Sequence, residues 1–286
     1  MLRLEMKMIL ITGASGQLGT ELRHLLDERS VDYVATDASE LDITNEAAVN
    51  EAFEQIKPTV VYHCAAYTAV DKAEDEGREL DYQVNVVGTE NIAKACEKYD
   101  STLVYISTDY VFNGEKELGQ EWLEDEVADP QTEYGRTKYL GEEAVRKYVK
   151  NHYIIRTSWV FGNYGHNFVY TMLKLAESHD TLTVVDDQFG RPTWTRTLAE
   201  FMTYLVDNRK PYGTYHLSND NTTNWYEFAK EILKDKDITI TPVDSSQFPQ
   251  KAKRPKNSTM SLEKTKATGF VIPSWQDALG EMMKNI

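Results

Sequence analysis

Cysteine is scarce in this chain: Cys64 and Cys96 are the only two in 286 residues. Their spacing suits neither a zinc site nor a redox pair, so both are expected to be free thiols in a reducing cytoplasm. Histidine is also sparse, with six scattered copies and no His-Glu-x-x-His. Nothing in that pattern builds a transition-metal centre, and no metal is expected. No stretch of 18 consecutive apolar residues occurs, so no membrane-crossing helix is expected. Positive charge is in deficit: 31 Lys and Arg stand against 46 Asp and Glu, a formal net charge of −15. That balance argues against nucleic acid or an anionic membrane as partner, and leaves room for a local basic pocket. The opening MLRLEMKMILITG is not a signal peptide, because its apolar run leads straight into a glycine-rich turn. Residues 1–6 are expected to be an unstructured leader.

What is present is an alternation. Short apolar, β-rich runs at 8–12, 31–36, 59–65, 102–108 and 153–158 are separated by helical stretches at 17–28, 45–56, 79–99 and from about 132. Near-continuous apolar strands between helices predict a parallel sheet covered on both faces. With right-handed crossovers the fold class is α/β, a doubly wound, Rossmann-like sheet. Beyond it the pattern is less regular, with helices expected at 167–178, 196–207, 224–234 and 275–284, and a Pro-, Lys- and Ser-rich loop at 244–258. The division expected is a dinucleotide-binding domain over 1–160, with returns of the chain to it from about 186–218. A smaller α/β substrate lobe is expected over 161–286.

Ligands in such folds bind beyond the carboxyl ends of the strands, so chemistry is sought there. TGASGQLG follows the first strand and spaces Gly13, Gly16 and Gly19 by three. One glycine allows a tight turn, the next lets backbone approach a pyrophosphate, and the third permits close helix–strand packing. The helix N-terminus behind them offers N–H groups to phosphate. Asp37 ends the second strand, where a carboxylate accepts from an adenosine ribose and repels a 2′-phosphate; a loop aspartate or helix cap reads equally well. Asp42 and Ile43 fit the flank of an adenine, while Thr44 fits an N-cap for the next helix. Ala65 and Ala66 end the third strand with small side chains that let a flat cofactor lie close.

EYGRTKYLGEE places Tyr134 and Lys138 one helical turn apart, on one face. Two other Tyr-x-x-x-Lys pairs exist, Tyr170 with Lys174 and Tyr226 with Lys230. Only the first follows a strand end that carries hydroxyl and acid groups, Ser107, Thr108 and Asp109. The pair near residue 134 is therefore read as chemical and the other two as lobe residues. A cation beside a phenol is expected to favour the phenolate and draw its pKa towards neutrality.

TGASGQLG, AAYTAVDKAE, NVVGTENIAKAC, STDYVFNG, YGRTKYLGE, RTSWVFG and DQFGRPTW together resemble the extended short-chain dehydrogenase/reductases, and within them the dTDP-4-dehydrorhamnose reductase family. The resemblance runs in order from about residue 8 to 205, with a fainter echo in KRPKNSTMSLEK. It implies reduction of the C4 ketone of dTDP-4-dehydro-β-L-rhamnose, in dTDP-rhamnose biosynthesis, by NADH or NADPH. Tyr134, Lys138 and Thr108 would be catalytic, with Tyr134 the proton donor and Lys138 also on the nicotinamide ribose. Cofactor contacts would fall on Gly13, Gly16, Gln17, Leu18, Gly19, Asp37, Asp42, Ile43, Ala65, Ala66 and Tyr67. Substrate contacts would fall on Thr108, Asp109, Trp159, Arg191 and Arg254. Trp159 also fits a core position, and either arginine fits a structural salt bridge. Asn85 matches a recurrent family asparagine and is read as a helix-packing group. Asp109-Tyr110 stands where related dehydratases carry Asp-Glu, which favours reduction over elimination. Thr132 replaces a commoner Asn, an exchange of one capping residue for another. The acidic 108–131 loop, from Glu115 to Asp129, is read as a solvated loop, with a mobile lid as the alternative. Some relatives dimerise around a divalent ion; a homodimer is expected here, without a clear ligand set for the metal. Three other readings share these residues: a nucleotide-sugar epimerase, a reductase of another 4-ketosugar, and a non-catalytic subunit like those that regulate methionine adenosyltransferase. The intact Thr108, Tyr134 and Lys138 speak against the last.

Overall fold

A computed structural model describes residues 8–286; the leader expected at 1–6 lies outside the described residues. Five strands arrive as the alternation predicts: β1 (Ile9–Thr12), β2 (Tyr33–Thr36), β3 (Val60–His63), β4 (Thr102–Thr108) and β5 (His152–Thr157). Between them come α1 (Gln17–Glu28), α2 (Glu46–Ile56), the short α3 (Val70–Ala73) and α4 (Arg78–Tyr82), α5 (Thr89–Tyr99) and α6 (Glu133–Tyr148). The second half supplies β6 (Val160–Phe161), α7 (Phe168–Ala176), β7 (Thr181–Val185), β8 (Phe189–Gly190), β9 (Thr193–Trp194), α8 (Thr195–Asp207) and β10 (Gly213–His216). It ends with β11 (Thr223–Asn224), α9 (Trp225–Ile232), β12 (Thr239–Val243), α10 (Glu263–Ala267) and α11 (Trp275–Met283).

Six strands form one parallel sheet in the order β10-β5-β4-β3-β1-β2. The chain thus leaves the sheet after β5 and returns to its edge with β10. Strand alternation sends Ile9 and Ile11 to one face and Leu10 to the other. On the first face α1 and α8 close the core, with Leu22, Leu25, Leu198 and Phe201 fully buried. On the second, α2, α5 and α6 bury Phe53, Ile92 and Val145 against Leu10, Val61 and Ile154. A separate cluster of Phe161, Val169, Phe228, Trp275 and Leu279 gives the second half its own core around α7, α9 and α11.

Three local expectations change. The α2 cap is Asn45, whose side chain accepts from the N–H groups of Ala47 and Ala48. Thr44 instead donates to the Asp42 carboxylate at 2.7 Å and is not the cap. The single helix expected over 79–99 is interrupted: Gln83–Gly88 is π-helical between α4 and α5. Such a turn widens the helix and often marks a functional region. Finally, the acidic loop after β4 is tied down and not simply solvated. Glu115 pairs with Lys253, Glu126 with Lys116 and Glu121 with Arg191. Trp122 stacks on Phe112 at 4.7 Å beneath it.

Candidate active site

The glycine turn after β1 is built by close approach. Gly13 has φ +65°, and a Cβ there would stand 2.6 Å from the Ala65 backbone. Any side chain would push β1 from the end of β3. Beyond it, the first turn of α1 leaves the N–H groups of Gln17, Leu18 and Gly19 without intrahelical acceptors, pointing to where an anion would sit. Ser15 in the same turn donates from its N–H to Asp37 at 3.0 Å, and its hydroxyl also bonds that carboxylate. Asp37 therefore stands at the rim, held by the loop it would work beside.

At the other end of the crevice, Thr132 caps α6, accepting from the Gly135 N–H at 3.0 Å. The capping exchange expected from the sequence occurs. Gly135 lets this helix start close against the turn after β4: a Cβ would lie 2.2 Å from Tyr110 O. That approach brings Tyr134 alongside Thr108, whose hydroxyl favours the phenolate while its own proton goes to Asp109 Oδ1 at 3.0 Å. The Tyr110 ring meets Tyr134 edge-on at 5.7 Å. One turn later Lys138, almost fully buried, places its ammonium 4.2 Å above the Tyr105 ring.

A cavity of about 640 Å³ joins the two ends. Gly16, Gln17, Leu18, Gly19, Ala65 and Ala66 line it together with Thr108, Asp109, Tyr134, Lys138 and Trp159. Gln17 also reaches across to the second half of the chain, accepting from Asn167 Nδ2 at 3.3 Å. Several expected residues stand elsewhere. Asp42 is exposed and bonded to Thr44, and Ile43 is buried in the core beneath α5. The Tyr67 hydroxyl packs against Gly77. Arg191 is committed to structure: its Nη1 donates to Met260 O at 2.6 Å and its Nη2 to Glu121 at 2.5 Å. Arg254 borders a neighbouring apolar cavity of about 470 Å³, which Trp159 and Trp225 also line. Its Nη1 donates to the Tyr110 hydroxyl at 2.9 Å, and its Nη2 pairs with Asp71. Trp159 stacks on Trp225 with centroids 3.8 Å apart and holds φ at +49°, a backbone region costly for a bulky residue.

Burial dominates the protonation equilibria. It pushes the Tyr134 phenol above its ordinary value, against the pull of the nearby Thr108 hydroxyl. The expectation that Lys138 would draw this phenol towards neutrality is thus reversed in the free chain. Lys138 itself is pushed down to about 7 by burial, although Glu142 and Asp81 oppose this. Losing a proton, it loses the charge that would have favoured a phenolate. Asp109 is pushed up to about 6 by burial, and its Oδ2 has no hydrogen-bond partner. Thr157, on the same cavity wall, likewise has a buried hydroxyl without a partner. Both orphaned atoms fit the polar groups of an incoming ligand. Thr157 escaped the sequence reading because a threonine in an apolar strand carries no pattern of its own. His63 escaped it too. It bridges Thr12 at 2.7 Å and Thr89 at 3.2 Å, fully buried and pushed down to about 3.

The arrangement combines an anion-binding turn, a flat slot walled by alanines, and a protonated phenol with a second hydroxyl donor beside it. The slot suits a dinucleotide: the donors, small side chains and volume all fit. The donors at its far end suit an oxygen that gains negative charge.

Comparison with known proteins agrees with this geometry. The family described as RmlD substrate binding domain matches residues 6–286. The chain is 40% identical to the spore coat polysaccharide biosynthesis protein SpsK of Bacillus subtilis, covering 98% of each chain. It is 39% identical to dTDP-4-dehydrorhamnose reductase of Aggregatibacter actinomycetemcomitans, over 96% of this chain and 97% of that one. A crystal structure of dTDP-4-dehydrorhamnose reductase from Bacillus anthracis in complex with NADP superposes with a TM-score of 0.94 at 38% identity, covering 98% of this chain and 99% of that one. On the extent of these matches, the chain belongs to the dTDP-4-dehydrorhamnose reductase family.

Proposed function

We propose that this chain reduces the C4 ketone of dTDP-4-dehydro-β-L-rhamnose to the alcohol of dTDP-L-rhamnose, using NADH or NADPH. The observation that carries the reading is the shared cavity: the glycine turn and the Thr108–Tyr134–Lys138 set face one another across it. The N–H groups of the first turn of α1 hold the pyrophosphate, and Ala65 and Ala66 leave room for the flat rings. A reduced nicotinamide held between these residues and Lys138 would supply the hydride that C4 receives.

Tyr134 gives its phenolic proton to the C4 oxygen as that oxygen gains charge. A phenol held above its ordinary pKa is fully protonated at neutral pH, the form this step consumes. The Thr108 hydroxyl, which donates to Asp109 Oδ1 in the free chain, turns to the same oxygen and stabilises the transition state. Lys138 would hold the nicotinamide ribose, and the part of it that keeps its proton near neutral pH supports Tyr134 when the phenol proton leaves. Asp109 Oδ2 accepts from a sugar hydroxyl, which ends its isolation. Trp159 forms the wall against the hexose. Arg254, at the mouth of the apolar cavity, exchanges Asp71 for a phosphate oxygen of the nucleotide. Asp37 accepts from the adenosine ribose.

The test is to supply dTDP-4-dehydro-β-L-rhamnose with each cofactor and follow the reduced-nicotinamide absorbance. Oxidation with stoichiometric dTDP-L-rhamnose is expected. No oxidation with either cofactor would reject the reading, and product without net oxidation would make the chain an epimerase.

A further inference from the structure

Asp81 is a buried carboxylate that the reduction just described does not use. It lies on α4 with 0% of its surface exposed. Its Oδ1 accepts from Asn85 Nδ2 at 2.7 Å and its Oδ2 from Thr137 Oγ1 at 2.8 Å. Both oxygens accept, as in an ionised carboxylate, and these two donors oppose the burial that pushes the carboxyl above its ordinary value. Asn85 belongs to the π-helical segment and is itself locked, taking the Tyr67 N–H and giving to Tyr67 O, each at 3.0 Å. Thr137 stands on α6 between Tyr134 and Lys138, and its hydroxyl also lies 3.0 Å from Tyr134 O. The carboxylate is therefore tied to the one helical turn that carries both residues.

Two carboxylates act on Lys138, and they differ in kind. Glu142, on its own helix, is already neutralised: Arg156 donates at 2.8 and 2.7 Å and Arg146 at 2.7 Å. Asp81 forms no ion pair with a guanidinium or ammonium among the described residues. The other groups facing Lys138 are His63 and Cys64 from the end of β3 and Tyr105 from β4, all uncharged at neutral pH. Asp81 is faced in turn by Glu133 and Lys138 from α6, and its field reaches Tyr134, Tyr105 and Arg136.

We propose that Asp81 is a positioning residue for the reduction: its buried carboxylate is a counter-charge that enlarges the share of Lys138 held as an ammonium, and through Thr137 it fixes the turn of α6 that presents Tyr134. This rests on the roles given to Tyr134 and Lys138 above.

Asp81→Asn isolates the charge. The new carboxamide oxygen still accepts from Asn85. Its NH₂ donates to Thr137, whose hydroxyl turns to Tyr134 O, so every hydrogen bond survives. The primary readout is competitive acetylation of the cofactor-free chain across a pH series, with Lys138 followed by peptide mass spectrometry and exposed Lys230 as internal reference. Only the neutral amine reacts. Removing a negative charge beside an ammonium moves its titration to lower pH. The expected result is a Lys138 midpoint below the parent's with Lys230 unchanged. With substrate, a drop of about one unit in the Lys138 midpoint lowers the ammonium fraction, and with it kcat/KM, by about fivefold at about pH 7 and about tenfold at about pH 9. Loss of the phenol proton at lower pH acts in the same direction. Should Asp81→Asn not melt cooperatively, Asp81→Ser, which leaves space for a water, carries the same expectation. A Lys138 midpoint equal to or above the parent's overturns the proposal. The labelling needs no substrate, so it stands or falls apart from the reductase reading.

Discussion

At the scale of the residue, desolvation outweighs the nearby charges, and Asp109 shows what that costs. Its carboxyl is raised from 3.8 to about 6 by burial, ahead of the hydrogen bonds that lower it. The folded chain therefore holds a proton that the unfolded chain releases between those values. The stability contributed by Asp109 alone is fully present below about pH 4 and falls as pH rises towards about 6, a loss of about 3 kcal/mol. Asp109→Asn removes the cost. It is expected to raise the melting temperature at about pH 7 and to leave it nearly unchanged at about pH 4, while lowering kcat/KM because the sugar acceptor is lost. Calorimetry at both pH values checks this; an equal change at both would mean the carboxyl titrates normally. The sequence placed Asp109 at a strand end beside Thr108. It held no sign of the charge state, which depends on groups brought over it from far along the chain, among them Ser258.

At the scale of the element, α6 is the piece on which the site depends. Its start is set by local chemistry and was legible: Thr132 caps it, and Tyr134 and Lys138 share a face. Its seat was not legible, because it depends on shape. Gly141 faces both β4 and the π-helical segment, and a Cβ there would stand 2.3 Å from the Tyr105 hydroxyl and 2.8 Å from Asn85 O. Gly141→Ala gains helix propensity yet overpacks this contact, so a net loss of about 1–3 kcal/mol in denaturant unfolding is expected. A stabilised variant would show that the contact yields freely. The π-turn was illegible for a related reason. Its extra residue is accepted because Asn85 is bonded from outside the helix, by Tyr67, and nothing within the segment announces that. The α2 cap was missed on a finer point: Thr44 and Asn45 are adjacent and both able to cap, and Asp42 takes Thr44.

At the scale of the molecule, the doubly wound sheet was readable from alternating apolar runs, and the crevice from the rule that ligands lie beyond strand ends. Contacts between the two halves were not readable, since charge complementarity across long separations leaves no local pattern. Lys251 pairs with Asp75, Lys253 with Glu115 and Arg254 with Asp71, binding the basic 251–254 segment to the acidic rim of the crevice. Of the two arginines expected to meet phosphate, Arg191 is held by Glu121 and Met260 O, and Arg254 alone borders a cavity. Arg254→Ala is therefore expected to raise the KM for the nucleotide sugar about tenfold with kcat changed less than about threefold. A fall in kcat at constant KM would show that Arg254 acts through Tyr110 on Tyr134 instead.

The central claim is that the Tyr134 hydroxyl supplies the proton, and single-turnover reduction of dTDP-4-dehydro-β-L-rhamnose by Tyr134→Phe measures it most directly. The account predicts a rate lower by about a hundredfold or more, with cofactor affinity little changed. A rate within about twofold of the parent would contradict it.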